Sequence, residues 1–179
     1  MNIEEAKVTL RKHFKEACEV LEVDYSKISF VYDNIGERFK TANNTCEAVG
    51  EILYINESWI KEVIKGNFIY DFQYQMYHEA RHFYQGMIIA DFHKRGKSKE
   101  LPATIRQWET EMLNYTRNES TIETQKANAA QKVEIDANAF AIAMLYLKGI
   151  TEARAPIEQL VETEKRVFEI LKVIARKYR

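Results

Sequence analysis

The sequence predicts an α+β fold, mostly helical, with a small sheet of two or three strands. Three observations carry that prediction. β-Branched and aromatic runs stand in the first third of the chain, at 28–32 and 48–56, each bordered by turn-forming residues. From about residue 58 to the end, apolar residues recur at helical spacing. Only two Pro and six Gly interrupt 179 residues, which leaves little room for linkers. A chain of that length is large enough to bury a core of its own and is read as a single domain over 1–179.

Taken in order, residues 4–22 read as an amphipathic helix with Val8, Phe14, Ala17, Cys18 and Leu21 on its apolar side. His13, among Arg11, Lys12 and Lys15, reads as a solvated surface histidine. Ile28–Tyr32 is a strand, ended by the turn-prone Asp33-Asn34-Ile35-Gly36. Arg38–Thr41 is a candidate short strand. Ala48–Asn56 reads as one further strand, and Asn56 or Ser58 can cap a helix over 58–65 that stops at Lys65-Gly66-Asn67. A helix over 68–90 follows, then a polar, basic loop over 91–102 that contains His93 and ends at Pro102. Ile105, Trp108, Met112 and Tyr115 mark a helix in 103–119. Another helix runs from 124 to 148, Ala-rich and apolar in its later part, and stops at Gly149. The last, 152–177, carries Ile157, Leu160, Val161, Val167, Phe168, Leu171 and Ile174, an apolar stripe that packs on the domain or on a partner such as a second copy in a homo-oligomer.

Composition narrows the function classes. A net charge of −1 gives no global field that favours nucleic acid or an anionic membrane. No run approaches the ~18 apolar residues of a membrane span, and Met1–Lys7 lacks the apolar stretch of a signal peptide. Cys18 and Cys46 are solitary, so they read as buried thiols rather than a disulfide framework or a thiolate metal site. Asn-x-Ser/Thr matches at Asn43, Asn56, Asn114 and Asn118 carry little weight without a secretion signal. The expectation is a cytoplasmic protein whose partners are neither nucleic acid nor membrane.

One motif carries chemistry. His78-Glu79-Ala80-Arg81-His82 lies inside the 68–90 helix. Positions i and i+4 share a helix face about 6 Å apart along the axis, so two imidazoles can converge on one metal ion. The Glu next to the first His can reach a water on that ion. A catalytic zinc needs a third protein ligand. His93 sits at an awkward spacing in a basic loop. Glu134 sits on the 124–148 helix, with Ala137 and Ala141 on its side to permit close helix approach. Asn138, one turn after Glu134, can accept the spare N–H of a ligand His. Alone, Glu134 reads as a surface residue; beside the His pair it reads as the ligand. A di-iron reading of Glu79-x-x-His82 fails, because Leu10 and Ala90 stand three residues before His13 and His93.

His-Glu-x-x-His followed by Glu134-x-Asp136-Ala137-Asn138-x-Phe140-Ala141 resembles the ImmA/IrrE family of zinc peptidases, small relatives of the gluzincins. The resemblance covers about 28–148 and implies a zincin-like fold with zinc held by His78, His82 and Glu134. It also implies Glu79 as catalytic base and Asn138 at a position that supports a ligand. The strand 51–56 is similar to the family's edge strand above the active site, which implies that an extended substrate pairs there. The stretch 91–130 is longer than the family spacing, and the C-terminal helix is unexplained. The implied function is hydrolysis of peptide bonds in a specific protein substrate. The alternative is a non-catalytic zinc-binding interaction module on the same fold. Tyr77, Arg81, Tyr84, Tyr115 and Tyr146 are all candidates to stabilise a developing oxyanion.

Overall fold

The computed structural model describes the chain except residues 37, 42, 43, 69, 117–120, 154, 156–158, 178 and 179. Asn43, Asn118 and Ile157 therefore lie outside the described residues. Among those described there are seven α-helices and one three-stranded mixed sheet, an α+β and mostly helical fold as expected. Two compact units are distinguished, Met1–Phe83 and Tyr84–Arg179.

In the first unit, α1 (Ile3–Leu21) starts at a capping box: Asn2 Oδ1 accepts from Glu5 N and Glu5 Oε2 accepts from Asn2 N, both at 2.9 Å. Its buried face is Ala6, Leu10, His13, Phe14, Ala17, Cys18 and Leu21. This corrects two expectations. Val8 is exposed and His13 is buried, because the i, i+4, i+7 ladder from Ala6 runs through Leu10 and His13 and turns Val8 outward. His13 meets the edge of the Tyr77 ring at 6.1 Å, and its Nδ1 lies 3.7 Å from Glu16 Oε2. Burial pushes the Cys18 thiol up to about 12, so it stays protonated.

The sheet comprises β1 (Ser29–Asp33), β2 (Cys46–Val49) and β3 (Ile52–Asn56), in the order β1-β3-β2. β1 and β3 run parallel, β2 and β3 antiparallel. The single strand expected over 48–56 is thus the end of one hairpin arm, its turn and the second arm, the turn using Gly50 at φ +58. The strand expected at 38–41 is only an isolated bridge, Ile35 to Phe39. Hydrogen-bonded on both sides, β3 is the central strand, and the edges are β1 and β2. The edge-strand expectation for 51–56 is therefore corrected: a substrate cannot add to a strand already paired twice. The register sets Cys46 opposite Ile55 and Ala48 opposite Leu53 on one face, with Leu53 and Ile55 fully buried.

Asn56 closes β3 and opens α2 (Glu57–Gly66). Its Oδ1 accepts from Ser58 N at 2.9 Å, while its Nδ2 donates to Thr41 O and Asn44 O. Asn67 ends the helix in the left-handed conformation. α3 (Tyr70–Arg95) is a single helix of 26 residues, longer than the 68–90 expected. The segment 91–95 is its last turn, where His93, Lys94 and Arg95 face the negative end of the helix dipole. In the first unit, Phe14 of α1 gathers Phe30 of β1 and Phe83 of α3 edge-on at 5.2 and 5.5 Å. Trp59 of α2 meets Phe72 of α3 at 5.4 Å.

The second unit is built around α6 (Lys132–Leu147), in which every residue from 133 to 145 is buried. The helix expected over 124–148 is two helices. α5 (Ile122–Ala129) ends at Ala130, and Gln131 adopts extended backbone at φ −67, ψ 134 before α6 begins. α4 (Pro102–Leu113) buries Ile105 and Trp108, while Met112 is part-buried and Tyr115, beyond its end, is exposed. α7 (Leu160–Lys177) packs on α6. Its buried face is Thr163, Val167, Ile170 and Ile174; Val161 and Phe168, placed in the expected stripe, are exposed. Arg166 joins α7 to α6: its Nε donates to Asp136 Oδ1 at 2.7 Å, and its other nitrogens reach Glu169 and Glu100. No helix among the described residues is long and apolar enough to cross a membrane.

Candidate metal centre

The His-Glu-x-x-His residues occupy adjoining turns of α3. The Nε2 atoms of His78 and His82 lie 2.9 Å apart, with the rings nearly perpendicular. Two nitrogens at ~2.05 Å from one tetrahedral ion are about 3.3 Å apart, so a small opening of the pair admits an ion. The turn before the motif holds both chemical residues in place. Tyr74 lies stacked against His78 at 6.4 Å, and Gln75 Nε2 donates to Glu79 Oε1 at 2.6 Å. Each supporter stands four residues before the group it supports, on the same helix face.

Glu79 and Arg81 are buried, at 4% and 5% exposure. Tyr77 turns away and donates its hydroxyl to Glu16 Oε2 of α1 at 2.9 Å. Burial pushes the Tyr77 hydroxyl well above its usual range and the Glu16 bond adds to this, so it serves as a fixed donor. On β2, burial pushes the Cys46 thiol up, and the Glu79 carboxylate pushes it further. The start of β2 therefore lies within electrostatic reach of Glu79.

Glu134 stands in the first turn of α6, where aligned backbone N–H groups favour a carboxylate. It is buried, and its Oε1 accepts a short hydrogen bond from the Tyr115 hydroxyl at 2.6 Å. Asn128 Nδ2 in turn donates to the Tyr115 oxygen at 3.1 Å. The α6 N-terminus is capped from a distance, by Glu111 Oε2 accepting from Val133 N at 2.8 Å. Gln85 of α3, fully buried, donates to Val133 O at 3.0 Å and to Asp136 Oδ2 at 2.8 Å.

The ligand atoms of His78, His82 and Glu134 all lie within 4.8 Å of one another, and this group could hold a metal ion. His78 and Glu134 are buried and His82 is the part-exposed member. Two imidazoles and a carboxylate suit a first-row divalent ion. Asn138 is buried and donates to Gln159 Oε1 at 3.1 Å. His93, the other candidate for a third ligand, is exposed and its Nε2 lies 2.7 Å from Glu109 Oε1 on α4.

Among the oxyanion candidates, Tyr84 donates to Glu100 Oε1 at 3.1 Å and Tyr115 to Glu134. Sequence reasoning missed Gln75, Tyr74, Asn128 and the Gln85–Asp136–Arg166 connection. The first two carried a signal, their i−4 spacing from Glu79 and His78; the others did not, because their partners are distant in sequence. No family model, curated protein or solved structure matches the chain, so any assignment rests on these residues themselves.

Proposed function

We propose that the protein is a zinc-dependent metallopeptidase of the ImmA/IrrE type, acting on a specific protein substrate. The observation that carries this reading is the convergence of the donor atoms of His78, His82 and Glu134 within 4.8 Å, with the buried Glu79 next to His78 in the chain. Zinc bound to such a set polarises a carbonyl and makes water more acidic.

The chain's own residues do the rest. Glu79 takes a proton from the attacking water and delivers it to the leaving amine. The peptide C–N bond breaks, a carboxylic acid and an amine form, and Glu79 is regenerated. Gln75 engages Oε1 of Glu79 and fixes the side chain so that Oε2 is presented to the water. Asn138 supports a ligand histidine through its amide oxygen, its nitrogen being given to Gln159. An extended substrate pairs with β2, an edge strand of the sheet, and not with the central β3.

The test compares metal-loaded wild type with Glu79→Gln on a native cell extract, labelling newly formed protein N-termini. The wild type should generate a small set of new termini, and Glu79→Gln, with its metal still bound, should generate none. If both proteins carry the metal and neither cleaves, the chain is a metal-binding interaction module and the peptidase reading is wrong.

A further inference from the structure

The stretch between α3 and α6 is longer than the family resemblance accounts for, and its helices α4 and α5 bring two polar side chains to Glu134. Tyr115 follows the end of α4 and Asn128 lies near the end of α5. Their side chains form a chain of bonds, Asn128 Nδ2 to Tyr115 Oη at 3.1 Å and Tyr115 Oη to Glu134 Oε1 at 2.6 Å. Because the hydroxyl has one proton, its donation to Glu134 and its acceptance from Asn128 are mutually consistent.

The backbone around Tyr115 is fixed as well. Gln131 Oε1 accepts from Thr116 N at 3.0 Å, Gln131 Nε2 donates to Thr116 O at 3.2 Å, and Asn128 Nδ2 donates to the same carbonyl at 2.9 Å. Gln131 is also the residue preceding α6, where its side chain makes no capping bond. Glutamine is not among the residues that favour a helix start as caps, and its side chain is put to another use. Here that use is to hold the Tyr115 segment against the turn that carries Glu134.

We infer that Tyr115 is the positioning residue for Glu134 as a metal ligand, and that Asn128 acts through it. The inference rests on the metal-centre reading above. A carboxylate that binds a metal through one oxygen needs its other oxygen held if it is to keep one orientation, and Tyr115 holds Oε1. The α4–α5 segment is on this reading part of the metal site, whatever it contributes to substrate choice.

The experiment measures Zn²⁺ affinity by chelator competition and the visible spectrum of the Co²⁺-loaded protein. The proteins are wild type, Tyr115→Phe, Asn128→Ala and the double variant. Tyr115 is 42% exposed, so loss of its hydroxyl leaves the fold intact, which thermal melting checks. Tyr115→Phe should weaken Zn²⁺ binding about 10- to 100-fold and shift the Co²⁺ spectrum as the carboxylate rotates. Asn128→Ala should weaken binding less, and should have no further effect in the Tyr115→Phe background. Affinity and spectrum unchanged in Tyr115→Phe overturn the inference alone, since the wild type still binds. Asn128→Ala acting equally in both backgrounds overturns the relay. A wild type that binds neither ion overturns the metal-centre reading and this inference with it.

Discussion

The two sides of the candidate metal centre are supported in different ways. The α3 side is self-supporting. Tyr74 lies against His78 and Gln75 holds Glu79, each from the preceding turn of the same helix. The Glu134 side is assembled from afar: Tyr115 and Asn128 approach it from outside α6, Glu111 caps Val133, and Arg166 holds Asp136 from α7. Helical neighbours need only one helix to form, whereas the second set needs four helices to meet. The α3 side should therefore tolerate damage elsewhere, and the α6 side should be the first part of the centre to loosen.

The largest expected effect lies on the α3 side and is chemical. Glu79→Gln removes the proposed base and should lower cleavage by about 10²- to 10⁴-fold without loss of metal or stability. Single-turnover rates beside metal analysis check it; a metal-free variant would mean that Glu79 supports the site rather than acting in it.

Next is Arg166→Met, which breaks the link between α7 and Asp136. Asp136 is 3% exposed and would lose a charged partner, but Arg166 is itself part-exposed. The expected loss is about 2–4 kcal/mol, below the full range for a buried pair. Urea unfolding reads it, and hydrogen exchange should quicken at the start of α6 before it does around His78. Equal acceleration on both sides would mean that the two sides are held alike.

Gln75→Ala tests the local kind of support. Metal affinity should stay the same while the cleavage rate falls about tenfold, because only the aim of Glu79 is lost. A fall in metal affinity would show that Gln75 serves the histidines too. The smallest effect belongs to a structural cap in the first unit. Asn56→Ala should cost roughly 1–2 kcal/mol, since it removes the α2 cap and two bonds to the Thr41 and Asn44 carbonyls. Thermal melting measures it, and neither metal binding nor cleavage should change.

The same division explains what the sequence made legible. The His-Glu-x-x-His spacing is a statement about one helix, and α3 forms as its apolar pattern and lack of proline require. The fold class followed for a similar reason, because periodicity and turn residues are local. Burial patterns were less secure. Val8 reads as part of the apolar side of α1 but is exposed, because six residues separate it from Phe14, well short of two full helical turns. β2 and β3 read as one strand because Gly50-Glu51 lies within an otherwise continuous strand-forming run, and only the tertiary pairing turns it into a hairpin. Asn128 and Arg166 read as ordinary polar residues on amphipathic helices. Their roles depend on partners 13 and 30 residues away, a kind of contact no single-helix pattern encodes.

His78, His82 and Glu134 are positioned so that together they could hold one metal ion. The most direct test of that shared role is the Zn²⁺ stoichiometry and affinity of the wild type beside His78→Ala, His82→Ala and Glu134→Ala. The wild type should hold about one ion per chain. Each variant should bind more than about 100-fold more weakly, beyond the range for a residue that merely supports a ligand. A Glu134→Ala protein that binds Zn²⁺ as tightly as the wild type would contradict that shared role.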